Sequence, residues 1–439
     1  MNILLLGNGG REHAIAKTLK RSPQNPKIFT FANAKNPGIC KISEEYEICS
    51  QKNFGEEDGF THLKKFAEEN KIDFTILGPD DPIGAGAADS LLKVGVKSVG
   101  PLKSLARLES SKSFTRNLLE KYGIPGNPEF KVFISMEGMN KFCEHLEGNF
   151  VIKDDGLCGG KGVHVSGDHF STLQEGLRIA EKILKEHGKL VIEEKFIGQE
   201  FSLMYFTDGN VVKPMPVVQD HKRAFEGDTG PNTGGMGTYS YPENLPFLTA
   251  QHLEEAREIT EQTMRALEKE CGSKYMGIMY GGFIATKKGT RLIEYNSRFG
   301  DPEGLNVLPL LESDLVEICL GIINGNLSEK EVRFAKKATV CKYVCPEGYP
   351  SNPVKSAEIT IGDVPKNVEV FFSSIDEIDG KFTLKGSRAI GFVGIADDIF
   401  EAEKLAEKAC NAVSGPVFHR RDIGTKELIE KRIEMMMNL

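Results

Sequence analysis

The sequence predicts an α/β protein of three parts: an N-terminal doubly wound parallel-sheet domain, a central α+β domain, and a small C-terminal α/β domain. Three observations carry that expectation. From Met1 to about Pro101, short apolar runs alternate with amphipathic segments, the pattern of strands and crossover helices in a parallel sheet. Between residues 151 and 196, two strands joined by a glycine loop are followed by a helix and a third strand, which makes a small α+β lobe. After Asn326 the character changes to short alternating strands with one late helix near 398–413. At 439 residues the chain exceeds the size at which a single core stops growing, about 250–300 residues.

In order, ILLL (3–6) precedes a helical segment from Arg11 to Lys20, KIFTF (27–31) follows, and a helix around Thr61–Asn70 leads to DFTIL (73–77). Ligands of such a sheet lie beyond the carboxyl ends of its strands. There the chain places two glycine loops, GNGGREHA (7–14) and GPDDPIGAG (78–86). The pattern turns helical over 102–125 and breaks at GIPGNP (123–128). Strands VIKD (151–154), GVHVS (162–166) and LVIEEKF (190–196) follow, with an amphipathic helix over about 171–187. FSLMYFTDGNVV (201–212) reads as a hairpin turning at Asp208-Gly209. Then come a long polar glycine-rich loop (219–237), a helix near 251–271 and a hairpin from YGGFIAT to RLIEYN. The expected divisions are residues 1–102, residues 103–327 with a subdomain over about 125–195, and residues 328–439.

Composition narrows the classes of function. A net charge of −8 with scattered Lys and Arg offers no basic stripe to a nucleic-acid backbone, so small anions must be met locally. The chain shows no signal-peptide pattern and no apolar run of the roughly 18 residues a membrane span needs, which reads as cytoplasmic with no membrane partner. Nine cysteines without a CxxC pair do not suggest a disulfide framework, and Cys341 and Cys345 read as core residues.

Gly7, Gly9 and Gly10 follow a strand and open a helix, so backbone amides and the helix dipole face an incoming anion. The sixth position of GxGxxG is Glu12, and no acid ends the second strand, which argues against a dinucleotide site. A sugar phosphate fits better, its anion on the glycines and its hydroxyls on Asp80 and Asp81 of the neighbouring loop. Arg11 and His13 read either as part of that site or as solvated helix residues.

Lys112 lies in RLESSKSF, and Lys153 ends a strand just before DDGLCGGKGV (154–163), a loop with Lys161 among four glycines. Such a loop can lie over a triphosphate, although a plain flexible hairpin is the alternative. It is no Walker A loop, because Gly162 follows the lysine. Glu193 and Glu194 sit on a strand followed by another that carries Glu200; the connecting backbone suits an adenine and a carboxylate suits ribose hydroxyls. In IEYNSRFGDPE (293–303), Glu294 and Asn296 are two apart on a strand and share one face, as two oxygen ligands of magnesium would. Arg298 continues that face, where an acyl phosphate carries negative charge.

These motifs, with VIEEKFIGQE, QDHKRAFEGDTGPNTGGMGTYS and FHRRDIG, run from residue 7 to 424 in the order found in phosphoribosylamine–glycine ligases, and the chain resembles that ATP-grasp family. The resemblance implies a pre-ATP-grasp domain, an ATP-grasp domain whose subdomain over about 125–195 is a mobile lid, and a C-terminal domain. It implies a ligase of purine biosynthesis that takes glycine, 5-phosphoribosylamine and ATP, with Mg²⁺ or Mn²⁺, to glycinamide ribonucleotide, ADP and phosphate through glycyl phosphate. By the same resemblance Gly9, Gly10, Arg11 and Asp80 hold the phosphoribosylamine, while Lys112, Lys153, Lys161, Glu193, Lys195 and Glu200 hold ATP. Glu294 and Asn296 match the metal ligands, and Arg298, Asp220 and Lys153 match the catalytic positions, the first two serving glycine and its acyl phosphate. The expected assembly is a monomer or weak dimer.

The chain departs from the family's pattern at Asp154, Cys158 and Gly159 in the lid loop, at Lys195 in the hinge and at Gly304 after the FGDPE turn. The lid and hinge changes touch nucleotide affinity more than chemistry. Gly281-Gly282-Phe283 stands where many ATP-grasp relatives carry a further acidic ligand, which matches the glycine ligases. His221 and His419 stay open between substrate contact and structure. Two rival readings remain: another ATP-grasp carboxylate–amine ligase, and a non-catalytic nucleotide-binding module.

Overall fold

Ile3, Leu4, Leu5 and Leu6 are buried on both faces, which makes their strand the middle of a parallel sheet rather than an edge. The computed structural model describes residues 1–50, 57–159 and 162–439. Its first sheet contains β1 (Asn2–Leu6), β2 (Lys27–Ala32), β3 (Glu45–Ile48), β4 (Phe74–Leu77) and β5 (Lys97–Val99), all parallel, in the order β3-β2-β1-β4-β5. Strand order reverses at β1, so the crevice beyond β1 and β4 is the natural ligand position. Helix α1 (Gly10–Lys20) leaves from that crevice.

The solvated reading of Arg11 and His13 fails, because both are buried. His13 stacks on Phe372 at 5.7 Å between ring centroids, and its Nδ1 accepts the Phe372 amide at 2.9 Å. Burial, and then Lys17, lower its pKa to about 3. The helix is thereby fastened to the C-terminal part of the chain.

The lid is an antiparallel sheet of β6 (Phe130–Phe133), β7 (Phe150–Asp154), β8 (Val163–Val165) and β9 (Leu190–Glu194), in the order β6-β9-β7-β8. Helix Leu173–His187 begins at a Thr172–Glu175 capping box and stops at Gly188 in the left-handed region. Phe150, Ile152, Ile183 and Ile192 form a core belonging to this unit alone. The next sheet runs from β11 (Val212–Pro214) to β10 (Gln199–Thr207), then to the hairpin strands Gly277–Thr286 and Gly289–Asn296.

The stretch 219–237 is more ordered than the expected loop. Gln219–Asp220 pairs with Gly237–Ser240, and Arg223–Phe225 forms a hairpin with Thr229–Asn232. The partner that fixes the first pair is remote in sequence. Ala338–Pro346, buried along all nine residues, pairs with Gly237–Ser240 on one side and with Ile390–Ala396 on the other. One sheet thus crosses residue 327, where a division was expected. The chain also ends in two late helices rather than one, Ile399–Asn411 and Lys426–Met437. Only Leu428 and Ile429 of the second are fully buried, so it carries a weak apolar stripe. Cys341 and Cys345 lie in the core as free thiols. Among the described residues no helix is long and apolar enough to cross a membrane.

Candidate active site

A cleft of about 1780 Å³ runs from Arg11 and Asp80 at the first sheet, past Lys112, Lys153 and Glu294, to Glu200 and the C-terminal helix. Lys153 is the last residue but one of β7 and lines the cleft. Its Nζ lies 3.0 Å from Glu193 Oε2 and donates to the Ile293 carbonyl at 2.7 Å. Arg116 grips Glu193 from the other side, with Nε and Nη2 donating to its two oxygens at 2.8 and 2.9 Å. Burial pushes the Glu193 carboxyl up, but Arg116 and Lys153 outweigh it and hold the group below its usual range. The Glu193 side chain is therefore occupied in orienting two cations, and any nucleotide contact falls to the backbone beside it.

Glu294 and Asn296 both face the cleft, as their spacing predicted. Burial raises the Glu294 carboxyl, yet Lys222, Lys153, Lys112 and Arg298 together hold it ionised. Arg298 donates from Nη2 to Asn296 Oδ1 at 3.1 Å and stands 3.0 Å from Glu109, which in turn accepts the Ser297 amide at 2.7 Å. Burial works against the Asp80 carboxylate, and Arg298 with Arg11 keeps it ionised. The two expected substrate regions therefore meet at Arg298.

Asp220 borders the cleft beside Glu303. Burial, then the Glu303 charge, raise its carboxyl well above the ordinary range. Glu303 accepts the Tyr280 hydroxyl at 2.7 Å and the Ser202 hydroxyl at 3.1 Å. Lys222 lies 3.4 Å from Glu200 and is held charged, first by Glu200 and against burial. Lys112 donates to the Gly156 carbonyl, and Lys195 donates to the Ser166 carbonyl at 2.6 Å, so each touches the lid. Lys161 lies outside the described residues.

Gly9 and Gly10 are not part of the cleft wall. The Gly9 amide donates to Glu12 at 2.5 Å, and the Arg11 amide donates to Asp301 at 3.2 Å. A Cβ on Gly78 would fall 2.2 Å from the Glu12 carboxylate, so that loop's glycine makes room for an internal acid. His221 is buried with Nδ1 3.2 Å from the Gly237 carbonyl. His419 pairs with Glu407 at 3.0 Å. His419 thus sits in a structural contact, whereas His221 also borders the cleft.

Reading the sequence alone missed Glu109, Arg116, Lys222, Glu303 and Arg388. Three of these lie inside the quoted motifs RLESSKSF, QDHKR and FGDPE, where position offered a signal. Arg116 and Arg388 carry no local pattern. Arg388 donates to the carbonyls of Gly234, Gly235 and Asp301 at 2.7, 2.9 and 2.9 Å.

A lid sheet and a second antiparallel sheet that hold lysines and a carboxylate–amide pair between them define an ATP-grasp enzyme, a class that uses ATP. Sequence models of the phosphoribosylglycinamide synthetase family match residues 1–109 (N domain), 110–304 (ATP-grasp domain) and 339–426 (C domain). The chain belongs to this family. It is 45% identical to a phosphoribosylamine–glycine ligase of Methanosarcina barkeri over the full length of both chains. It is 44% identical to one of Methanocaldococcus jannaschii, again over all of both. The crystal structure of a phosphoribosylamine–glycine ligase from Thermotoga maritima superposes with a TM-score of 0.80 at 29% identity, covering 96% of this chain and 100% of the other.

Proposed function

We propose that this chain ligates glycine to 5-phosphoribosylamine with ATP, giving glycinamide ribonucleotide, ADP and phosphate through glycyl phosphate. The observation that supports it most is Glu294, an ionised carboxylate ringed by Lys112, Lys153, Lys222 and Arg298 in a cleft that continues to Arg11 and Asp80. Cations around an acid suit a triphosphate with its metal, and the continuation suits a second, sugar-phosphate substrate.

In this reading Lys112, Lys153 and Lys161 meet the phosphates, the backbone near Glu193 and Lys195 meets the base, and Glu200 meets the ribose. Glu294 and Asn296 offer two hard oxygens to Mg²⁺ or Mn²⁺. Among the described residues no three acidic, His or Cys side chains are grouped to hold a metal. Glu294 and Asn296 would hold such a cation as two of its oxygen ligands. When bound, the cation supplies charge neutralisation at the phosphates.

A carboxylate becomes an electrophile once its oxygen carries the γ-phosphoryl group. Arg298, fixed by Glu109 and Asn296, stands where the acyl phosphate and its tetrahedral successor are negative, and Lys153 steadies the phosphoryl group in flight. Asp220 orients glycine. Arg11 and Asp80 hold the ribosylamine so that its amine attacks the acyl carbon and phosphate departs, while Gly9 and Gly10 shape the loop behind them. Lid closure keeps water from both reactive intermediates.

The test is ADP release from purified protein with ATP, Mg²⁺, glycine and freshly generated phosphoribosylamine, omitting one at a time. Release that needs both glycine and the ribosylamine is expected. Release with another carboxylate, or none, overturns the reading.

A further inference from the structure

The helix Lys426–Met437 lies beyond the family's matched segments except for its first residue. It is anchored by Leu428 and Ile429 in the core, and its Thr425 side chain caps the Leu428 amide. Its cleft-facing flank carries Lys431, Arg432 and Met435, next to Gln199 and Glu200 at the start of β10. Here the contacts are specific. Arg432 Nη2 donates to Asp228 Oδ2 at 2.5 Å, and Nη1 donates to Gln199 Oε1 at 3.3 Å. The other end of the Gln199 amide, Nε2, is turned onto the Met435 sulfur. Gln199 is only 3% exposed, so both ends of a buried amide are held by one helix.

That amide belongs to the residue just before Glu200, and Asp228 belongs to the hairpin that follows Lys222. The fork of Arg432 therefore ties together the two segments whose side chains, Glu200 and Lys222, face each other at 3.4 Å across the cleft. An arginine suits the task because its planar guanidinium presents donors from separate nitrogens in a fixed fork, so two acceptors are held at a set spacing. We infer that the C-terminal helix is the outer wall of the nucleotide site and that Arg432 is a positioning residue for Glu200. This rests on the reading of Glu200 as a ribose ligand.

Removing Arg432 leaves Gln199 Oε1 without its donor and Asp228 held by Arg420 alone, so the link between the two segments is lost and Glu200 must be ordered more fully at the moment of binding. Nucleotide affinity then falls while glycine and ribosylamine binding are untouched. Loss of a charge-assisted hydrogen bond predicts roughly a tenfold rise in Kd.

The experiment is calorimetric titration of the full-length protein with MgATP, for the wild type, Arg432→Ala, Arg432→Lys and Gln199→Ala, alongside steady-state KM values and thermal midpoints. The expected result is a weakened ATP Kd and a raised ATP KM in both alanine variants, partial recovery with lysine, and unchanged KM for glycine. Since Gln199→Ala leaves the helix intact, it separates positioning from loss of fold. Equal ATP affinity in all four proteins, or a parallel loss in every KM with a fallen midpoint, overturns the inference. A wild type that binds no ATP overturns the nucleotide reading, and the inference with it.

Discussion

His13 is packed against Phe371 and Phe372, and its ring nitrogen accepts a backbone proton, a contact that only the neutral imidazole makes. Burial lowers both His13 and His221 to about 3 in the folded protein. The unfolded values lie near 6.5. Below that pH the unfolded chain binds protons that the native one refuses, so this stability is fully present above about pH 6.5 and is lost as pH falls towards 3. The slope approaches about 1.4 kcal/mol per pH unit for each histidine. Urea unfolding between pH 7 and 5 should show the fall, and His13→Gln should flatten it while lowering stability at pH 7. A second prediction concerns Glu109, which holds both Arg298 and the Ser297 amide. Glu109→Gln leaves Arg298 loosely aimed. It should lower kcat by about a hundredfold, the cost of roughly 1 Å of misplacement, with little change in ATP affinity.

Two loops from the central part of the chain, around Gly234-Gly235 and Asp301-Pro302, are held at one point by Arg388 from the strand-rich C-terminal part. Arg388 donates to three of their carbonyls, lies 3.3 Å from Asp301 and covers the Tyr343 ring at 4.6 Å. The loops carry Gly235 against Asp220 and lead into Glu303, so Arg388→Ala should raise the glycine KM and lower kcat while leaving the ATP Kd unchanged. Initial-rate kinetics with calorimetry would separate these. The element scale also explains what the sequence could tell. The parallel sheet was legible because short apolar runs alternating with amphipathic segments are written locally, and so was the two-residue spacing that gives Glu294 and Asn296 one face. The Arg116–Glu193 pair was not, since its members are 77 positions apart and meet only when the helix Lys112–Lys121 packs against the strand Leu190–Glu194. The strand Gly237–Ser240 was hidden for a similar reason, as its order comes from pairing with Ala338–Pro346. At Gly9 the local signal was read for an external anion, whereas the amide bonds Glu12 three residues on.

Across the whole molecule, one core gathers residues from Ile3 to Ile429, smaller ones lie in the first sheet and in the C-terminal part, and the lid keeps a core that shares no residue with any of them. A unit with a separate core moves as a body when its connections bend. The lid is entered past Gly123 and Gly126, both at positive φ, and left through residues 195–198 before β10. Its polar ties to the strand Gly289–Asn296 among the described residues include the Lys153 bond to the Ile293 carbonyl, the Arg116 bridge through Glu193 and the Leu292 amide on the Gly126 carbonyl. A triphosphate bound between Lys112, Lys153 and Glu294 would add ties across the same gap, so closure is favoured by whatever contacts only the closed state makes. Hydrogen exchange tests this without turnover. With a non-hydrolysable ATP analogue, amides of 155–159 and 163–165 should gain protection, while those of Ala338–Pro346, buried in the main core, should stay unchanged. Protection spread evenly over both segments would mean global stabilisation by ligand rather than lid closure.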